Sequence, residues 1–302
     1  MELFKKRETL TQNIAYMGIM AAINVIAVIL MTYVLPMLFI PFLLVLPFTS
    51  TVVTLYCKKK YFIFYLIATT GICLLTTINN ISDTLFYILP SLISGFIFGI
   101  VISYRLSSAI AIFFTALANV ALTYLSLPII NAIYNQNMIL VVAKLFSVQS
   151  FIYLDFVVPA FIMLISIIQE TLSFAFIENE LPKLGIVGEE KEIPFLNEII
   201  GLFGSLFALI CFLVRPSIFS TFALFFTVFA LFFAVYIIVK CAANKQFKIL
   251  IIDGVITVIS FVLFGVFYQY IEAPYALITL NIYFDLIILV SLVNYSLTKI
   301  RK

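Results

Sequence analysis

Apolar runs of about twenty residues, nearly free of charge, recur between residues 14 and 296 of this chain. Coiled as an α-helix, a run of that length matches the hydrocarbon thickness of a bilayer. The composition agrees: 65% of the 302 residues are hydrophobic and 10% are charged, too little polar surface to coat a water-soluble globule. The expected fold is an all-α, polytopic transmembrane bundle in contact with membrane lipid.

Ten spans are expected, with eight as the lower bound, near 14–34, 37–56, 61–78, 84–104, 106–126, 151–177, 195–214, 217–239, 249–269 and 274–296. The first follows a basic start, MELFKKRETLTQN, but is too long for a signal-peptide core and has no small-residue cleavage site. It reads as a retained span. In the second, Pro36, Pro41 and Pro47 predict a bent or partly unwound entry. Charge gives an independent test of the count. If both termini are cytoplasmic, all 17 basic residues except Lys144 and Arg215 fall on the inner side. The expected location is therefore the plasma membrane, N-in and C-in.

Two membrane modules follow from this layout. Residues 1–177 carry six spans and residues 195–302 carry four. Residues 178–194 form an acidic cytoplasmic linker that includes Glu178, Glu180, Glu189, Glu190 and Glu192. It reads either as a solvated connection or as a docking loop. Residues 127–150 form the one long external segment, within which MILVVAKLF predicts a short interfacial or re-entrant helix.

Small residues mark two helix faces. Ser91, Gly95, Gly99 and Ser103 recur every four residues on the fourth span, and Ala15, Gly18 and Ala22 give the first a narrow face. Such faces let backbones approach closely, within one chain or against another subunit. Polar stripes run along Thr69, Cys73, Thr76 and Asn80, and along Thr115, Asn119 and Thr123. Buried hydroxyls and amides need partners, so both stripes should face the bundle interior, as structural bonds or as ligand lining.

Acids within spans are costly and point to function. Glu170 and Asp253 lie roughly two turns from the cytoplasmic ends of their spans, where they can reach the interface. Asp155 lies below the outer rim, and Asp285 is the deepest, with Asn281 one turn earlier on the same face. Asp253, Asn281 and Asp285 are the candidate ion-coupling residues; a neutral, hydrogen-bonded acid is the structural alternative.

Several chemistries are disfavoured or excluded. The chain has no histidine, so histidine triads, HExxH zinc sites and histidine relays cannot form. Its four cysteines make no CxxC pair, which argues against a thiolate metal site or a disulfide framework. There is no P-loop and no paired-carboxylate protease signature. A non-enzyme with no cofactor, no metal and no nucleic-acid partner is expected.

AYMGIMAAINVIAVIL in the first span, LPMLFIPFLLVLPFTS after it and TLFYILPSLISGFIFGIVISYR in the fourth resemble the substrate-capture S components of energy-coupling-factor (ECF) transporters. The full length and the four extra spans are similar to the YybS-like bacterial membrane proteins, a family distantly similar to S components. That family tends to carry an acid before a basic tail, where VSLVNYSLTKIRK has Asn294. The resemblance implies a six-span module that binds a vitamin-like solute at its outer mouth, with separate ECF-type ATPase and coupling subunits. It also implies a docking face for the coupling subunit at Gly18 and Ala22. The implied solute lining is Asn79, Asn80, Asp83 and Tyr87, then Asn131, Tyr134, Asn135 and Lys144, then Tyr153 and Asp155, with Asn119 deeper. An ion-coupled standalone carrier and a non-transporting assembly scaffold are the other two readings.

One turn concentrates the question. NNISD, residues 79–83, reads either as a plain turn in which Asp83 caps the next helix, or as the rim of a ligand mouth.

Overall fold

The computed structural model describes residues 6–34, 37, 39–145, 151–186, 196–214, 217–270 and 273–300, and every described element is helical. Helix α1 (Leu10–Ile29) starts with a reciprocal cap between Thr9 and Gln12 and runs into a π-helical turn, Leu30–Val34. Helix α2 (Phe39–Tyr56) carries Pro47 inside it, and a 3₁₀ turn, Lys59–Tyr61, leads into α3 (Phe62–Thr76). After a 3₁₀ turn at Ile78–Asn80, the single turn α4 (Ile81–Asp83) enters a second π-helical turn, Thr84–Ile88, and then α5 (Leu89–Tyr104). Helices α6 (Ser108–Tyr134), α7 (Met138–Leu145) and α8 (Phe151–Glu180) follow. The last four are α9 (Leu196–Val214), α10 (Ser217–Ala243), α11 (Phe247–Tyr270) and α12 (Ala273–Ile300).

Among the described residues, seven helices are long and apolar enough to cross a membrane, and three shorter apolar helices lie at Leu43–Tyr56, Leu196–Cys211 and Asn281–Asn294. The chain is thus an integral, multi-pass helical membrane protein. Two expected boundaries move. Helix α6 continues through Pro128 to Tyr134, which shortens the external segment, and α7 occupies most of MILVVAKLF. Helix α8 continues to Glu180 and closes with the 3₁₀ turn Leu181–Leu184, so the first part of the expected acidic linker is helical. Leu181 is buried and the Leu184 carbonyl accepts from the Tyr56 hydroxyl at 3.3 Å, which ties that part to α2. Lys191 and the three later glutamates of the linker lie outside the described residues.

The chain divides into two compact units. Unit 1 comprises Met1–Leu145 and Ile165–Glu192; unit 2 comprises Phe146–Leu164 and Ile193–Lys302. Helix α8, roughly 45 Å long at the helical rise, contributes its first half to unit 2 and its second half to unit 1.

In unit 1, α2 and α5 pack backbone against backbone. A methyl group built on Gly95 would lie 2.2 Å from the Pro47 carbonyl oxygen, and one on Gly99 2.5 Å from Thr54 Cβ. Thr51 Oγ1 bridges the crossing, donating to Pro47 O at 2.9 Å and to Gly95 O at 3.1 Å. A polar junction joins α1, α2 and α3: Asn24 Nδ2 donates to the Tyr65 hydroxyl at 2.7 Å and Thr49 Oγ1 donates to Asn24 Oδ1 at 2.7 Å. At the other end of α1, buried Asn13 donates to Arg7 O and Thr9 O and accepts from the Lys58 amide at 2.8 Å.

Unit 2 is packed with rings. Phe207, Phe225, Phe226, Phe229, Phe232 and Phe233 of α9 and α10 form a connected series of edge-on and tilted contacts, with centroids 4.6 to 6.2 Å apart. Gly201 and Gly204 make room for them, lying against Phe233 and Phe229.

Candidate functional site

The turn that holds NNISD lies beside two interruptions of the α-helical repeat. The π-helical turns Leu30–Val34 and Thr84–Ile88 lie at the same end of unit 1, where Tyr33 donates its hydroxyl to Thr76 O at 2.7 Å. Inside the turn, Thr77 Oγ1 and Thr84 Oγ1 are 2.6 Å apart, both fully buried, and pin α3 to the following helix. Ser126 of α6 donates to Leu85 O at 3.3 Å on the same level. Wider π-helical turns concentrate at functional sites because they displace side chains from the α-helical phase.

The polar groups of NNISD are not consumed by this scaffold. Asn79 and Asn80 are exposed and Asp83 is half-buried, and none of the three makes a side-chain hydrogen bond among the described residues. The expected cap at Asp83 does not form. Its backbone is already helical at φ −64°, ψ −41°, whereas a capping residue needs extended geometry to turn its side chain onto the first amides. Tyr87, one turn on, is 39% exposed.

The other expected lining residues are placed differently. Asn131 accepts the Met138 amide at 2.9 Å, so it starts α7, and Asn135 ends α6 in the left-handed conformation at φ 49°. Both have local structural work that explains their residue type. Tyr134 is exposed beside them. Lys144, Tyr153 and Asp155 lie on α7 and α8, but their side chains fall outside the described residues. Asn119 is deep in the bundle.

There Asn119 belongs to a cluster that the sequence reading did not assemble. Glu170 of α8 is fully buried, and its Oε1 accepts from Ser94 Oγ of α5 at 2.9 Å and from Asn119 Nδ2 of α6. Ser94 Oγ also lies 3.2 Å from Asn119 Oδ1. One turn further, Phe98 and Phe174 repeat the α5–α8 contact with rings at 5.2 Å. The expectation that Glu170 reaches the interface is corrected by this burial. The apolar segment around it runs from Val158 to Leu184, which makes residue 170 central rather than near an end. Residue spacing carried a signal: Thr115, Asn119 and Thr123 form a polar stripe, and an amide at its centre implies a polar partner on a neighbouring helix.

In unit 2, Asn281 is fully buried and its Nδ2 donates to Thr227 Oγ1 at 2.8 Å, while its backbone carbonyl accepts from Ser205 Oγ at 3.4 Å. Asp285 is half-buried, and its Oδ1 has no hydrogen-bond partner among the described residues. Asp253 is 2% exposed, and neither of its carboxyl oxygens has one. Thr257, one turn on, joins α11 to α12 through the Tyr283 hydroxyl at 2.8 Å.

The small-residue faces divide. Gly95 and Gly99 are covered by α2, Ser91 is buried, and Ser103 donates back to Gly99 O. Ala15, Gly18 and Ala22 are exposed, with nothing within 4 Å of the position a Gly18 methyl would take.

The four cysteines are free and buried. Burial pushes the Cys57 thiol up to about 11, against a smaller opposing pull from Arg7, so it stays a thiol rather than a metal-ligating thiolate. Among the described residues no group of three or more acidic or cysteine side chains is arranged to hold a metal ion. No family model, no curated protein and no solved structure matches this chain.

Proposed function

We propose that unit 1 is the solute-capture module of a membrane transporter, similar in role to an ECF S component and acting without its own ATPase. It is not an enzyme. The observation that carries this reading is the polar rim that leads into the π-helical turn Thr84–Ile88, where the side chains of Asn79, Asn80 and Asp83 make no hydrogen bond among the described residues. Elsewhere in unit 1, Asn13, Asn24, Thr51 and Asn119 are taken up in bonds within or between helices. Amides, a carboxyl and an aromatic ring along one turn suit a small, partly apolar solute with a few polar groups. Separate coupling and ATPase subunits would drive release on the cytoplasmic side.

Native purification in mild detergent tests both halves of the proposal. Mass spectrometry should find a small molecule that co-purifies with the protein and is lost from Asp83→Asn and Tyr87→Phe, with helix content unchanged. An ECF-type ATPase pair should co-purify as well. Purification that keeps other membrane partners but never these ATPases would remove the ECF assignment.

Asp253 favours a second reading, a carrier driven by an ion gradient through Asp253, Asn281 and Asp285. A carboxyl buried with no partner is costly unless it serves a transported ion. Under this reading Asp253→Asn abolishes gradient-driven uptake in vesicles, whereas under the first it leaves solute capture intact.

A further inference from the structure

Glu170 is a buried acid that the capture reading does not use. Both donor bonds it receives, from Ser94 and Asn119, end on Oε1, while Oε2 is buried with no hydrogen-bond partner among the described residues. That asymmetry fits a neutral carboxylic acid. Its carbonyl oxygen offers two lone pairs to two donors, and the hydroxyl leaves one O–H donor unmet, a smaller penalty than an unmet carboxylate oxygen. A carboxylate would spread its charge over both oxygens and leave one of them buried without a donor.

Among the described residues no Lys or Arg forms an ion pair with Glu170. The contacts around this part of α8 come from α5 through Ser94 and Phe98, from α6 through Asn119 and from α2 through Phe48. Helices α2, α5 and α6 contain no Lys, Arg, Asp or Glu; their tyrosines are Tyr56, Tyr104, Tyr124 and Tyr134. On α8 itself the next acids toward the C-terminal end are Glu178 and Glu180, two to three turns away. Two further hydroxyls lie one turn along the same two helices, α5 and α8. Ser91, one turn before Ser94, and Ser173, one turn after Glu170, are fully buried and also lack hydrogen-bond partners. A buried acid with unpaired hydroxyls one turn away on α5 and α8 has polar groups on both helices that a proton entering or leaving it can use.

We propose that Glu170 is a proton-binding site at the centre of unit 1, exchanging its proton with solution. This inference stands apart from the rim at residues 79–87 and from any solute bound there.

Infrared difference spectroscopy of the purified full chain in lipid nanodiscs, wild type minus Glu170→Gln, tests it. At neutral pH the difference should contain the carbonyl band of one protonated carboxylic acid. That band should shift when the sample is moved to deuterated water and disappear at alkaline pH, leaving carboxylate bands. Carboxylate bands alone at neutral pH would overturn the proposal. So would a carbonyl band indifferent to deuterium, which marks a sealed structural acid. Loss of the band on adding sodium at constant pH would make a metal cation the ligand and overturn the proton. If Glu170→Gln does not fold, Ser94→Ala makes the assignment. Removing one of the two donors to Oε1 must move the Glu170 band to higher frequency, and an unmoved band belongs to another acid and refutes the site.

Discussion

Units 1 and 2 solve the same problem, crossing helices in an apolar medium, by different means. Unit 1 brings backbones together at Gly95 and Gly99 and stitches neighbouring helices with side-chain hydrogen bonds through Asn24, Thr51 and Asn119. Unit 2 places phenylalanine rings in the spaces left by Gly201 and Gly204, and its buried Asp253 has no hydrogen-bond partner among the described residues. Lipid tails are as apolar as the side chains, so burial alone does not select a helix partner; packing shape and polar bonds do. Unit 1 is therefore specified by directional contacts, and unit 2 by the fit of rings, which tolerate adjustment.

Substitutions can break this comparison, and unfolding should be followed by loss of helical circular dichroism because the chain has no tryptophan. The largest effect is expected at Gly95→Ala, whose methyl meets the Pro47 carbonyl and Ser50 Cβ at 2.2 and 2.5 Å. Backbone cannot swing aside, and overpacking of this kind costs about 3 kcal/mol. Gly18→Ala, with open space around it, is the control and should gain about 0.5 kcal/mol from helix propensity. Glu170→Ala comes next. It strands the Ser94 and Asn119 donors in the bundle and should cost about 2 kcal/mol. A smaller loss, about 1.5 kcal/mol, is expected for Gly204→Ala, because the added methyl pushes on the Phe229 ring, which can tilt at the expense of its contacts with Phe226 and Phe233. Were Gly204→Ala to equal Gly95→Ala, the ring-packed unit would be no more adjustable than the bonded one. Least of all is expected of Asp253→Asn, within about 0.5 kcal/mol, since no bond is lost.

How much of this was legible in the sequence depended on the range of the interaction. Apolar runs and basic loops located the helices, because both properties are local. The Ser91-Gly95-Gly99-Ser103 face was visible as a face, but its covering by Pro47, Ser50 and Thr54 depends on which helix packs there. Glu170 lies deeper than its spacing from residue 177 implies, because α8 runs on to Glu180. Its two donors lie 76 and 51 residues away in sequence, beyond the reach of any periodicity. Asp83 shows the reverse failure. The residue type suits a cap, but continuous helical backbone through the turn removes the geometry a cap requires.

The π-helical turn at Thr84–Ile88 has a consequence for how the chain tolerates length changes. Deleting one residue there lets the turn close as ordinary α-helix while everything beyond Leu89 keeps its phase against α2. The same deletion between Gly95 and Gly99 rotates one half of α5 by about 100° relative to the other and takes one of the two glycines off the crossing. The π turn thus works as an expansion joint: the polar rim can lengthen, shorten and change its chemistry while the bundle beneath it stays in register.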